Sequence, residues 1–167
     1  IIRTCSNVNM LTQSKKRIFE KNKIDYTLRS VNSILKSVNY AKDYHPKVEI
    51  NIIVVDHNSN DENIKRITNL FNNSSLSFKL INLDLAEFEK KIKTVNEKNE
   101  KVTVNQISNM SNIYKSLLLS KNSDDLIYFV EDDYIHEVDS ITEMLFTYER
   151  IASLTDKELV ICPADYP

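Results

Sequence analysis

The chain has 167 residues, enough for one domain with a sizeable core, and its 41% hydrophobic and 28% charged composition is that of an ordinary globular protein. Net charge is -2 and Lys and Arg are scattered, so the chain lacks the clustered basic face that nucleic-acid binding needs. Glycine is absent, which excludes the P-loop and the Rossmann fingerprint, because both need Gly where backbone approaches phosphate.

Along the chain, Ile1 and Ile2 look like the end of a strand and run into a polar stretch, residues 7–22, with no clear pattern. Leu28, Val31, Ile34, Leu35, Val38 and Ala41 recur at helical spacing, and Pro46 closes that segment. Residues 50–55 are β-branched and nearly continuous, as in a strand buried on both faces. A turn-forming cluster follows at 56–61, where Asn60 or Asp61 can cap a helix carrying Ile64, Ile67, Leu70 and Phe71. Residues 78–83 read as a third strand. Residues 84–104 read as a surface excursion with a short amphipathic piece near Phe88 and Ile92.

Ile107, Met110, Ile113, Tyr114, Leu117 and Leu118 mark another helix. Residues 126–130 form a short apolar strand that stops at Glu131-Asp132-Asp133. Ile141, Met144, Leu145, Tyr148 and Ile151 mark the next helix, and residues 159–162 a last strand. Strands alternate with helices, so the expected fold is α/β with a mainly parallel sheet covered on both faces. In such sheets ligands bind beyond the carboxyl ends of the strands, here after Ile2, Val55, Leu83 and Val130. Without glycine, Asn is expected to take the left-handed turn positions.

Three segments at those ends can carry chemistry. Three adjacent carboxylates, Glu131, Asp132 and Asp133, repel one another, and a hard divalent cation bound to them removes that cost while supplying charge for a diphosphate. The plainer alternative is a solvated acidic loop capping the next helix. Asp56, Asn58 and Asn60 alternate as in a calcium loop, but Asp61 stands where an EF-hand needs Gly and Ile67 where it needs a bidentate Glu. Asp56 is better read as accepting a ligand N–H, with Asn60 and Asp61 as caps; a simple turn plus cap is the alternative. Asn109-Met110-Ser111-Asn112 is read as the start of a helix, where polar side chains either meet a sugar or phosphate or merely cap.

His45, His57 and His136 have no HExxH-type spacing, and His136 is read as a surface residue rather than a metal ligand. Cys5 and Cys162 match no metal spacing; two free, buried-type thiols are expected in preference to a disulfide. The Asn-X-Ser tripeptides are read as chance in an Asn-rich chain. No apolar run approaches the roughly 20 residues that would span a bilayer and no signal peptide is visible, so the expected location is cytoplasmic, with peripheral attachment to an inner membrane compatible with it.

In order, these features resemble the GT-A glycosyltransferases, in particular the family-2-like bacterial sugar transferases. The opening strand and base-contacting turn match Ile2-Arg3-Thr4-Cys5-Ser6-Asn7, and the acid-rich turn matches Val54-Val55-Asp56-His57-Asn58-Ser59-Asn60-Asp61. Ser111-Asn112 corresponds to the stretch before the metal strand, and Tyr128-Phe129-Val130-Glu131-Asp132-Asp133 to that strand with its DXD-like motif. The chain departs from the family in having His57 where a second Asp is common and Asn58 where Gly is common.

The resemblance implies a nucleoside-diphosphate sugar donor and Mn²⁺ or Mg²⁺. It implies nucleotide contacts from Thr4, Asp56, Asn58, Asn112, Glu131 and Asp132, with Asp56 at the nucleobase. Asp133 is then the metal ligand, with Asp132 beside it. The acceptor, a sugar, lipid or protein, is not identified. A carboxylate base would deprotonate its hydroxyl, and Asp165 is a weak candidate. Residues 1–167 are accordingly expected to be one donor-binding domain, part of a longer enzyme whose acceptor half lies elsewhere. A nucleotidyltransferase and a non-catalytic, receiver-like α/β module are the other readings. The first wants a Gly-rich phosphate loop and the second a Lys-bearing strand end.

Overall fold

The computed structural model describes residues 1–7, 21–123 and 125–163. It is an α/β fold: a four-stranded, all-parallel sheet with four α-helices among the described residues. The elements run β1 (Ile2–Thr4), α1 (Lys23–Tyr44), β2 (Ile52–Asp56), α2 (Asp61–Asn72) and β3 (Phe78–Asn82). A 3₁₀ turn (Leu85–Phe88), α3 (Val104–Ser120), β4 (Val130–Glu131) and α4 (Ser140–Thr155) complete them.

The strands lie in the order β3-β2-β1-β4. The chain therefore builds outward from β1 through β2 to β3, then crosses back to place β4 on the other side of β1. The crevice between β1 and β4 is the point where the direction of growth reverses, the usual ligand position in open parallel sheets.

β2 shows why the sheet needs helices on both faces. Ile52 and Val54 join a cluster with Val31, Ile34 and Leu35 of α1 and Ile67 and Phe71 of α2. The alternate residues Ile53 and Val55 face a second cluster with Leu83, Phe88, Ile92 and Tyr114. A strand in this position reads as continuously apolar because successive side chains enter different cores. The amphipathic piece expected near Phe88 and Ile92 is thus the lid of the second core.

Local signals in the turns hold as expected. Asn60 caps α2, its side chain accepting from the Asn63 amide at 2.8 Å. Positive φ occurs at Asn58 (64°), Asn99 (59°) and Asp156 (52°), where short polar side chains stand in for glycine.

The structure corrects four expectations about the elements. α1 begins at Lys23, not near Leu28, because its first buried turn uses Thr27 and Ser30 among the apolar residues, which a purely apolar periodicity misses. α3 begins at Val104 with a Thr103–Gln106 capping box, so Asn112 lies well inside the helix rather than at its start. Only Val130 and Glu131 of the fourth segment pair with the sheet, and Leu126 and Phe129 are exposed. Among the described residues β4 has one neighbour, the three-residue β1, so little ladder exists to order more of it. Residues 159–162 form no strand, and Val160 is fully exposed; among the described residues no sheet edge pairs with them.

Candidate functional site

The carboxyl ends of β2, β1 and β4 lie side by side, with Thr4 opposite Asp56 and Arg3 opposite both Val55 and Glu131. This register brings the Asp56 turn and the acidic triplet to adjoining strand ends, although they are distant in sequence.

Asp56 is buried and organises its turn. Its Oδ1 accepts from the Thr4 hydroxyl at 2.6 Å and the Ser59 hydroxyl at 2.7 Å, and its Oδ2 from the Ser59 amide at 3.2 Å. The Ser59 hydroxyl in turn accepts from the Ser6 amide, tying the loop after β1 to the loop after β2. Asn58 is exposed and its amide donates to the Asn7 carbonyl at 3.1 Å. Asn112 is buried on α3 and its amide donates to the Val55 carbonyl at 3.0 Å, supporting the end of β2 from the opposite face. Of the expected nucleotide contacts, Thr4 and Asn112 are therefore committed to holding β2 and its turn, while Asn58 and Glu131 are exposed.

The acidic triplet is compensated from within the protein. Glu131 pairs with Arg3, whose guanidinium also donates to Asn109 at 2.9 Å. Asp132 turns inward: its Oδ1 meets Lys23 Nζ at 2.7 Å, and its Oδ2 accepts from the Thr27 hydroxyl at 2.7 Å and the Cys5 amide at 3.3 Å. Asp133 points outward, its side chain 45% exposed, with Lys23 Nζ at 3.6 Å. The mutual repulsion of the three carboxylates is thus offset by two cations distant in sequence, Arg3 and Lys23.

A signal for one of them existed. Arg3 sits in a strand flanked on both sides, a position where a charged residue is rarely buried without a carboxylate partner. Lys23 carried no comparable mark, since the residues before it showed no pattern.

For a divalent cation the donor set fits through Asp133, an exposed carboxylate beside which phosphate oxygens and water could complete the shell. Asp132 and Glu131 are engaged by Lys23 and Arg3. Among the described residues no group of three or more His, Cys, Asp or Glu gathers as a ready ligand set. Asp165 lies outside the described residues.

The other titratable groups act structurally. Burial pushes the Cys5 thiol up to about 11, with the negative charges of Asp56 and Asp132 adding to it, so it stays protonated and unreactive. Both cysteines are free as expected, but neither is buried: Cys5 is half-buried and Cys162 exposed. His57 Nδ1 and the Ser108 hydroxyl are hydrogen-bonded at 2.7 Å, joining the β2 turn to α3. His136 is half-buried rather than a surface residue, with Nε2 2.7 Å from the Tyr128 hydroxyl.

Burial lowers both imidazoles from the ordinary 6.5; Asp56 partly opposes this at His57, and a backbone hydrogen bond with Tyr134 does so at His136. The unfolded chain then takes up protons that the folded one refuses. Stability from these groups is complete above the ordinary value and is lost as pH falls through the folded values. The thermal midpoint is expected to drop between about pH 7 and about pH 5, and the His57→Gln/His136→Gln protein to drop less. An equal drop in both proteins would show that carboxylates alone set the acid limit.

No protein-family model, no curated protein and no solved structure matches this chain. Among the described residues no helix is long and apolar enough to cross a membrane.

Proposed function

We propose that the chain is the donor-binding domain of a GT-A, family-2-like glycosyltransferase that uses Mn²⁺ or Mg²⁺ to transfer a sugar from a nucleoside-diphosphate sugar to a sugar, lipid or protein acceptor. One observation carries this reading. Asp56 and the Glu131-Asp132-Asp133 triplet, far apart in sequence, meet at neighbouring carboxyl ends around β1, where the sheet changes its direction of growth. A nucleoside diphosphate laid across those ends would have its base near the Asp56 turn and its phosphates near Asp133.

The roles divide between the two loops. Asp56, already satisfied on Oδ1 by two hydroxyls, keeps acceptor capacity on Oδ2 for a base or ribose donor. Asn58, left-handed and exposed, presents the loop edge to the ligand. Glu131 and Arg3 line the β1–β4 crevice as an ion pair. A cation at Asp133 would neutralise the diphosphate as it leaves the sugar. A second reading, a nucleotide-binding module without turnover, is favoured by the internal pairing of Glu131 and Asp132.

Calorimetric titration with UDP and with GDP, each with and without Mn²⁺, tests the proposal. Binding is expected to strengthen when Mn²⁺ is present, and Asp133→Ala is expected to remove that gain, about tenfold or more, equivalent to ~1.4 kcal/mol. Absence of cation-dependent diphosphate binding in the unaltered protein would sink it.

A further inference from the structure

Two carboxylates from successive residues converge on a single ammonium at the end of β4. Lys23 Nζ lies 2.7 Å from Asp132 Oδ1 and 3.6 Å from Asp133 Oδ2. The lysine side chain is 11% exposed, so the ammonium is largely removed from water and depends on these anions. The ammonium thus supplies the positive charge shared by the two acids.

The three partners of Asp132 are not equivalent. Thr27 and the Cys5 amide both hold Oδ2, on α1 and on the loop after β1, while Lys23 is the partner on Oδ1. If the ammonium left, Asp132 would stay oriented by its Oδ2 bonds and present a bare Oδ1 beside the exposed Asp133. The two cations of the site also differ. Arg3 is on a central strand and is fixed by both Glu131 and Asn109. Lys23 is the first residue of α1 and carries its charge on a flexible four-carbon stem.

Resting on the diphosphate-site reading above, we propose that Lys23 is an internal stand-in for the cation. It occupies the Asp132–Asp133 position in the nucleotide-free protein and competes with a divalent ion for it. An arriving diphosphate offers Lys23 other anionic oxygens, draws it off Asp132 Oδ1, and frees a two-carboxylate seat. Cation and diphosphate then load together, each raising the other's affinity by the same factor. The device also keeps a compensated charge at a largely buried carboxylate whenever no ligand is present.

Mn²⁺ titration of the whole chain, followed by electron paramagnetic resonance of the free ion, tests this with and without UDP. Nucleotide-free Lys23→Met is expected to bind Mn²⁺ about tenfold or more tightly than the unaltered protein, within the range of linked-site couplings. Lys23→Arg, which keeps the charge, should stay near the unaltered value. UDP should tighten Mn²⁺ binding in the unaltered protein and add little in Lys23→Met.

Should Lys23→Met be poorly folded, its thermal midpoint should still rise with Mn²⁺ more than that of the unaltered protein does. Equal Mn²⁺ affinity in the nucleotide-free forms, or an equal rise of midpoint, would overturn the stand-in role. A gain in Lys23→Met with no effect of UDP on either protein would uphold the competition and remove the diphosphate reading instead.

Discussion

Asp132→Ala is expected to destabilise the fold by about 3–5 kcal/mol, because it strands a largely buried ammonium without its counter-charge. The side chains of Lys23 and Asp132 are 11% and 10% exposed, so little water is available to replace the lost partner. The same substitution leaves the fully buried Thr27 hydroxyl with the longer contact to the Lys23 carbonyl, 3.3 Å, and frees the Cys5 amide. Guanidinium denaturation of Asp132→Ala against Asp133→Ala separates this from a general effect of removing acid. Asp133 is exposed and its loss should change stability by under about 0.5 kcal/mol.

The double variant Lys23→Met/Asp132→Ala should recover much of the loss, since it removes the stranded charge as well. If Asp132→Ala proves as stable as Asp133→Ala, the ion pair is not a structural element of the strand end.

Asp56→Ala should cost about 3 kcal/mol, for a related but distinct reason. Among the described residues no ion pair to Asp56 is broken there. Three donors, the hydroxyls of Thr4 and Ser59 and the Ser59 amide, lose a charged acceptor at the junction of two loops. Thr4 is buried in the middle of the sheet, so its hydroxyl cannot turn to solvent. Asp56→Asn keeps one carbonyl-type oxygen and should cost about half as much. Urea unfolding of the two variants reads the difference. Equal and small losses would mean that the turn is held by the Asn112 contact and the backbone ladder without Asp56.

These two residues show how far the chemistry could be read before the fold was known. In both, acids directly follow an apolar run, and both lie at carboxyl ends of parallel strands. Their partners were not legible. Arg3, Thr27 and Lys23 are separated from the triplet by more than a hundred residues, and no local pattern links charges across such a distance. The inference that the triplet needs an external cation assumed that no internal one was near, and only side-chain packing could test that.

Element identity was the more tractable part. The alternation of apolar runs with helical spacing, the Asn60 cap and Asn in left-handed turns are short-range effects, set by neighbours within a few residues. They made an α/β parallel sheet legible from the chain alone. The apolar runs at 126–129 and 159–162 form no strand, because such a run becomes one only when an adjacent strand supplies its hydrogen bonds. For the acids after Val130, sequence established the charge and its place at a strand end. The tertiary structure decided that Glu131 meets Arg3, that Asp132 turns inward to Lys23, and that Asp133 is left facing outward. Orientation at a strand end depends on which distant cation is packed beside it, and that is a property of the folded chain.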